Sequence, residues 1–304
     1  MSVLCSRPSW RFAVLPLGLC LCLLGNGVAA QLAATKSDSF QFVILGDRTG
    51  ETEPGIYERV WQEAATENPA FVLSVGDSIQ GLNDATAESE WRQFERILAP
   101  YRRFSLFLAA GNHDIWSARS EALFLKYAAH PPQPPHPAHY SFDYSQVHFT
   151  ILDNSRSDNL PPEELQFLGT DLEAHKDQPV KFIVSHRPSW LVDAMFQNSR
   201  SRLHQLAKKY GVQYVVAGHL HQMLDVELDG VTYLSMASAG GQLRGTMLYR
   251  DGWFFGYALV GVHGQAINLR IKELKPPLGQ GRVTEAKDWL KAGGAPNKTT
   301  APAH

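Results

Sequence analysis

The chain has 304 residues, of which 44% are hydrophobic, 19% charged and 11% aromatic, with 28 basic against 30 acidic side chains. That composition excludes disordered, collagen-like and coiled-coil classes, and the scattered Lys and Arg offer no basic stripe for a nucleic-acid backbone. All three cysteines, Cys5, Cys20 and Cys22, fall within the first 22 positions.

In chain order, residues 1–30 read as a signal peptide. Arg7 and Arg11 are their only charges, an apolar run follows over 12–24, and Val28-Ala29-Ala30 supplies small residues for cleavage. A run of 13 residues falls short of the roughly 17 to 25 that a membrane-spanning helix needs. Cleavage removes two positive charges, leaving 26 basic against 30 acidic residues, a net of −4, and no cysteine. The expectation is a secreted or periplasmic protein with no transmembrane helix in the mature chain. Without thiols, any metal there must be held by His, Asp, Glu or Asn.

Short apolar runs then alternate with helical patterns. Residues 40–45 end in GDRTG, and 55–68 follow with Ile56, Val60, Trp61 and Ala64 at helical spacing. Residues 70–75 end in GDSIQG, followed by a helical pattern over 86–98, and 105–110 end in GNHD, followed by a helix over 117–128. Residues 139–144 and 146–152 read as a hairpin, and Pro161-Pro162 opens a helix to about His175. Strand 180–184 leads into SHRP, a helix covers about 200–210, and strand 213–217 leads into GHLHQ. From 223 to 274 the pattern is almost all strand, with Asp229-Gly230 and Asp251-Gly252 as hairpin turns. The whole suggests a two-layer β-sandwich flanked by helices, in one domain of residues 38–274, with 275–304 as an appended tail.

Five strand ends carry metal-ligand side chains: Asp47; Asp77; Asn112 with His113; His186; and His219 with His221. Ligands at the carboxyl ends of adjacent strands converge on one crevice. Singly, each has a plainer reading: a turn or helix N-cap for the Gly-Asp pairs, a polar turn for 112–114, a satisfied histidine for His186. His219-Leu220-His221, if extended, places both imidazoles on one face. Together the loops make an oxygen-and-nitrogen ligand set sufficient for two divalent ions. Such ions share a carboxylate, lower the pKa of a water between them and neutralise charge building on phosphoryl oxygens.

The ordered set GDRTG, GDSIQG, GNHD, VSHRP and GHLH resembles the calcineurin-like metallophosphoesterase superfamily over about residues 40–274, in the motif order of the purple acid phosphatases. The resemblance implies a four-layer α/β/β/α sandwich of two mixed sheets flanked by helices, with a binuclear metal site at the strand ends. It implies a metal-dependent phosphoric ester hydrolase acting on small phosphate mono- or diesters through a metal-bridging hydroxide. One ion would take Asp47, Asp77 and His221; the other would take Asp77, Asn112, His186 and His219. His113 matches the family's catalytic histidine, and Asp114 either orients its ring or caps the following helix. Two positions depart from the family: Thr49 stands where many members have a histidine, and Gln80 where purple acid phosphatases have a tyrosine. The first leaves one ion short of a ligand, so that the ion is weakly held, Gln80 or water fills the gap, or a different metal is favoured. The second argues against a tyrosinate-bound ferric ion, leaving Mn, Fe or Zn open. A non-catalytic metal-binding scaffold and a nuclease are the alternatives.

Arg48 and Arg187 flank ligands, either as phosphate clamps or as solvated loop residues. Residues 239–242 either bring backbone close to the site or form a bulge. The proline-rich 130–139 is a rigid connector, or a rim that offers His136 or His139 to substrate.

Overall fold

The computed structural model describes residues 38–128, 138–285 and 288–289. The signal-peptide reading of 1–30, and His136 in the proline-rich segment, lie outside the described residues.

Strands β1 (Ser39–Leu45), β2 (Phe71–Ser74) and β3 (Ser105–Leu108) run parallel, with helices α1 (Ile56–Thr66), α2 (Ala87–Leu98) and α3 (Ala118–Tyr127) between and after them. Alternation along β1 decides the layering. Phe42 and Ile44 join one apolar cluster while Val43 and Leu45 join another, because successive strand side chains point to opposite faces. The second cluster holds Val60 and Trp61 of α1, Trp91 and Phe94 of α2 and Phe124 of α3, so the helices cover that face. Helix α3 starts at a reciprocal Ser117–Ser120 capping box.

Next come the hairpin β4 (Tyr140–Tyr144) and β5 (Val147–Ile151), helix α4 (Pro162–Ala174), β6 (Val180–Val184), the short α5 (Leu191–Met195), α6 (Arg202–Lys209), β7 (Tyr214–Ala217) and the hairpin β8 (Leu224–Leu228) and β9 (Val231–Ser235). They form a second mixed sheet, ordered β4-β5-β6-β7-β9-β8. Leu168, Leu172, Trp190 and Leu206 from α4, the residue preceding α5, and α6 pack on its outer face with Ile183 and Val215. The inner faces meet through aromatic rings: Phe42 lies edge-on to Phe149 at 5.3 Å and to Phe182 at 5.6 Å. The architecture is the expected α/β/β/α sandwich.

Finally β10 (Gly256–His263), β11 (Ala266–Glu273) and β12 (Val283–Glu285) extend the first sheet to the order β12-β11-β10-β1-β2-β3. Two sequence expectations give way here. Asp251-Gly252 is not a hairpin turn: residues 249–251 form a 3₁₀ turn that Gly252 ends at φ 84°, and 236–255 cross from the second sheet to the first. A left-handed glycine serves either role, and only the strand partners distinguish them. The segment after Leu274 also does more than trail, since β12 pairs with β11 and Trp289 is buried between the sheets against Phe254. A three-residue strand has too short an alternation to read.

The register sets the site. Leu45, Ser74 and Leu108 lie side by side, as do Val184 and Val216 in the other sheet, so the motif loops leave from one edge of each sheet.

Candidate metal centre

The motif loops bring Asp47, Asp77, Asn112, His186, His219 and His221 together. His186 Nε2 lies 3.0 Å from Asn112 Oδ1 and 3.3 Å from Asp77 Oδ2. Ligand atoms of Asp77, His186 and His219 all lie within 4.8 Å of one another. On the other side, His221 Nε2 is 3.2 Å from Asp47 Oδ2. His219 N donates to both Asp47 oxygens, at 3.0 and 2.9 Å, fixing the carboxylate that His221 faces.

The backbone is bent to do this. Asp77, His219 and His221 adopt left-handed φ of 55°, 69° and 60°, so the GHLH segment is not extended as the sequence reading supposed. The two imidazoles instead turn to different neighbours, a strained geometry typical of functional loops. The glycines of the motifs have a packing reason. A Cβ on Gly111 would stand 2.1 Å from Asp77 Oδ1, and one on Gly218 would stand 2.3 Å from Asp47 Oδ1.

The donor set fits a cation. His186 Nδ1 faces the Val75 carbonyl at 2.9 Å and His221 Nδ1 the Gln242 carbonyl at 2.7 Å. A carbonyl only accepts, so each ring carries a proton on Nδ1 and turns Nε2 toward carboxylate or amide oxygens. His221 Nε2 is buried without a hydrogen-bond partner. Lone pairs so gathered require positive charge between them. Burial disfavours the His186 cation, yet the Asp77 and Asp47 carboxylates outweigh it and raise its pKa to about 9, so a proton and a metal ion compete for Nε2 of this ring. Burial, then His186 and Arg187, push His219 down to about 4, which keeps its ring neutral and able to ligate. Burial would raise Asp77, but His186 and the His113 backbone N–H hold it below the usual carboxylate range.

His113 is half-buried, its N–H on Asp77 Oδ1 at 2.8 Å and its ring Nδ1 on the Gln80 carbonyl at 2.5 Å. Asp114 plays neither expected role. It is fully buried and accepts from Ser78 N at 2.8 Å, Ile79 N at 3.2 Å and Gly111 N at 2.9 Å, while Ser117 caps the helix. The carboxylate latches the second motif loop to the third. Burial and the nearby Asp77 charge raise its pKa. Arg48 is neither clamp nor solvated: it is buried, donates to the Ser78 carbonyl at 2.8 Å and lies over Tyr57. Arg187 reaches the rim, 3.4 Å from His219 Nε2, but its head donates to Asp158 at 2.5 Å. Gln80 does not turn to a ligand position. Its Oε1 accepts from Thr49 Oγ1 and from Glu51 N, so a hydrogen-bonded pair occupies the place of the family's histidine.

Of the other open readings, 239–242 do approach the site, with Ala239 N and Gly241 N both donating to the Asp47 carbonyl at 3.0 and 3.2 Å. His139 stacks on Phe167 and bonds Glu164, which fits a connector. Sequence reasoning missed Asn154, whose Oδ1 accepts from His186 N and Arg187 N at 3.1 and 3.0 Å. A polar residue just past an apolar strand was the same signal that marked the motif loops. It also missed Arg244, which with Gly50, Glu51, Gln80, His113 and Gln242 lines an open cleft of about 280 Å³. A larger hollow of about 530 Å³ lies at the other end of β1, around Ser39, His263 and Arg270.

The fold and this set of candidate ligands fit a metallophosphoesterase. The chain belongs to the calcineurin-like phosphoesterase family, whose model matches residues 41–223. Family membership points to metal-dependent phosphoester hydrolysis. The fold is similar to that of the purple acid phosphatase PPD1 from yellow lupin (Lupinus luteus) seeds, with TM-score 0.64 and 18% identity over 82% of this chain and 53% of that one. It is also similar to GAP50, the anchor in the inner membrane complex of Plasmodium, with TM-score 0.57 and 16% identity over 81% of this chain and 88% of that one. The chain thus spans about half the length of the lupin protein. No curated protein matches it. Among the described residues, no helix is long and apolar enough to cross a membrane.

Proposed function

We propose that the protein is an exported phosphoesterase that hydrolyses small phosphate mono- or diesters with two divalent ions, Mn, Fe or Zn. The observation that carries this is the convergence of ligand-type atoms: His186 Nε2 lies within 3.3 Å of Asn112 and Asp77 oxygens, and His221 Nε2, buried without a hydrogen-bond partner, lies 3.2 Å from Asp47 Oδ2. Asp47, Asp77 and His221 hold one ion; Asp77, Asn112, His186 and His219 hold the other. When bound, such ions supply Lewis acidity that activates water and neutralises phosphoryl charge.

The rest falls to the chain's own side chains. His113, with Nδ1–H fixed on the Gln80 carbonyl, presents its other ring nitrogen to the leaving oxygen and, as the imidazolium, transfers the Nε2 proton to it, leaving the neutral ring. Asp114 and Arg48 tie the motif loops behind the ligands, so that the ring of donors is held before substrate arrives. Residues 1–30 serve as an export signal and the catalytic domain starts near residue 38. A chain without cysteine past residue 30 suits an oxidising compartment, secreted or periplasmic, and its net charge of −4 there favours a small ester over nucleic acid.

A second reading, a metal-binding scaffold without turnover, draws on the Thr49–Gln80 pair, which leaves the first ion a single imidazole; the similar GAP50 is described as an anchor. The assay separates them. Residues 31–304, purified and loaded with Mn, are expected to cleave a chromogenic monoester or diester and to lose that activity to chelator. A fully loaded protein that cleaves neither supports the scaffold.

A further inference from the structure

Of the two arginines suggested by the sequence, Arg48 is buried on the Ser78 carbonyl and Arg187 pairs through Nη1 with Asp158. A third, Arg244, stands in the cleft beside His113. Its Nη1 donates to the His219 carbonyl at 3.3 Å. Its Nη2 and His221 Cε1 each lie 2.8 Å from the point where a Cβ on Gly50 would stand, which puts the guanidinium over the first-ion side of the centre. Although Glu51 lines the same cleft, no carboxylate among the described residues forms an ion pair with Arg244.

The loop that carries it is anchored at both ends. Gln242 N donates to the Glu51 carbonyl at 2.8 Å, and Gly241 bridges to Thr52. Past it, Gly245 packs against the Trp253 ring and Thr246 Oγ1 donates to Asp251 at 2.7 Å. A guanidinium on a fixed loop, bonded through one nitrogen, keeps several N–H groups for an anion and loses little freedom on binding one.

We infer that Arg244 binds a non-bridging oxygen of the substrate phosphoryl group at the mouth of the metal centre. The inference rests on the phosphoesterase reading, but its test does not need turnover. Inorganic phosphate is titrated calorimetrically into Mn-loaded wild type, Arg244→Ala and Arg244→Lys, with metal content measured on each. Loss of one charge-assisted hydrogen-bonding group is expected to weaken phosphate binding by roughly tenfold to a hundredfold in Arg244→Ala. The metal content should stay unchanged, with partial recovery in Arg244→Lys. In the ester assay the same variants are expected to raise KM more than they lower kcat. Equal phosphate affinity in wild type and Arg244→Ala, or no binding to wild type, overturns the inference. Phosphate binding through Arg244 in a protein that turns over no ester upholds it and sinks the phosphoesterase reading instead.

Discussion

His221 Nε2 and Asp47 Oδ2 stand 3.2 Å apart, both side chains fully buried, with no hydrogen bond to His221 Nε2. The Gln242 carbonyl takes the proton-bearing Nδ1, so two lone pairs face each other across that gap. Such a pair is costly to bury unless positive charge lies between them. The arrangement is expected to fail selectively: His221→Ala removes one ion per chain and leaves the one beside His186. Metal analysis of the loaded variant reads this directly, and an unchanged content would show that His221 holds nothing.

His113 contacts Asp77 only through its backbone, so its ring is dispensable for the metal centre. His113→Ala is expected to lower kcat by roughly 10²- to 10⁴-fold, the usual range for a general acid. The loss should be largest for esters with poor leaving groups and small for nitrophenyl esters, at unchanged metal content. An equal loss across leaving groups would remove its proton-donor role.

Asp114 is a latch, so its replacement should register as stability. Asp114→Asn turns an amide donor toward one of its three backbone N–H partners and is expected to cost about 1–3 kcal/mol in urea unfolding. The pH dependence of turnover should keep its shape, because the carboxylate touches backbone and not the His113 ring. A displaced pH profile at unchanged stability would restore the orienting role.

Far from the metal centre, His148 lies buried between Asp143, at 2.6 Å from Nδ1, and Asp171, at 2.9 Å from Nε2, with His175 stacked on it. Burial lowers its pKa, but the bonds to Asp171 and Asp143 outweigh this and raise it. A raised histidine stabilises the fold fully below its unfolded value of about 6.5 and stops doing so as pH climbs through the folded value. Thermal melts between about pH 6 and 9 are therefore expected to fall with pH in wild type and to be flatter in His148→Gln. Parallel curves would show that the ring is neutral.

Gly111 lies so close to Asp77 Oδ1 that a Cβ there would be 2.1 Å away. Gly111→Ala is expected to displace that carboxylate and abolish retention of both ions while circular dichroism stays near wild type. A variant that still binds both would mean that Asp77 has room to move.

The layers were legible because β1, β2, β5 and β6 are apolar runs directly followed by loops, and helices α1–α3 keep their apolar stripe. The ligands were legible because each stands next to a motif glycine or strand end. What the sequence hid depends on partners distant in the chain. Asp114 finds two of its three donors 35 and 36 residues earlier, and Arg48 its acceptor 30 residues later. Arg244 sits in a loop without periodicity, and β12 is too short to alternate.

The centre is expected to hold two ions despite Thr49. The most direct measurement is the number of Mn ions retained per chain after loading residues 31–304 and removing excess metal by gel filtration. Two are expected. One ion would mean that the Thr49–Gln80 pair has cost the first site, and none would contradict the metal centre altogether.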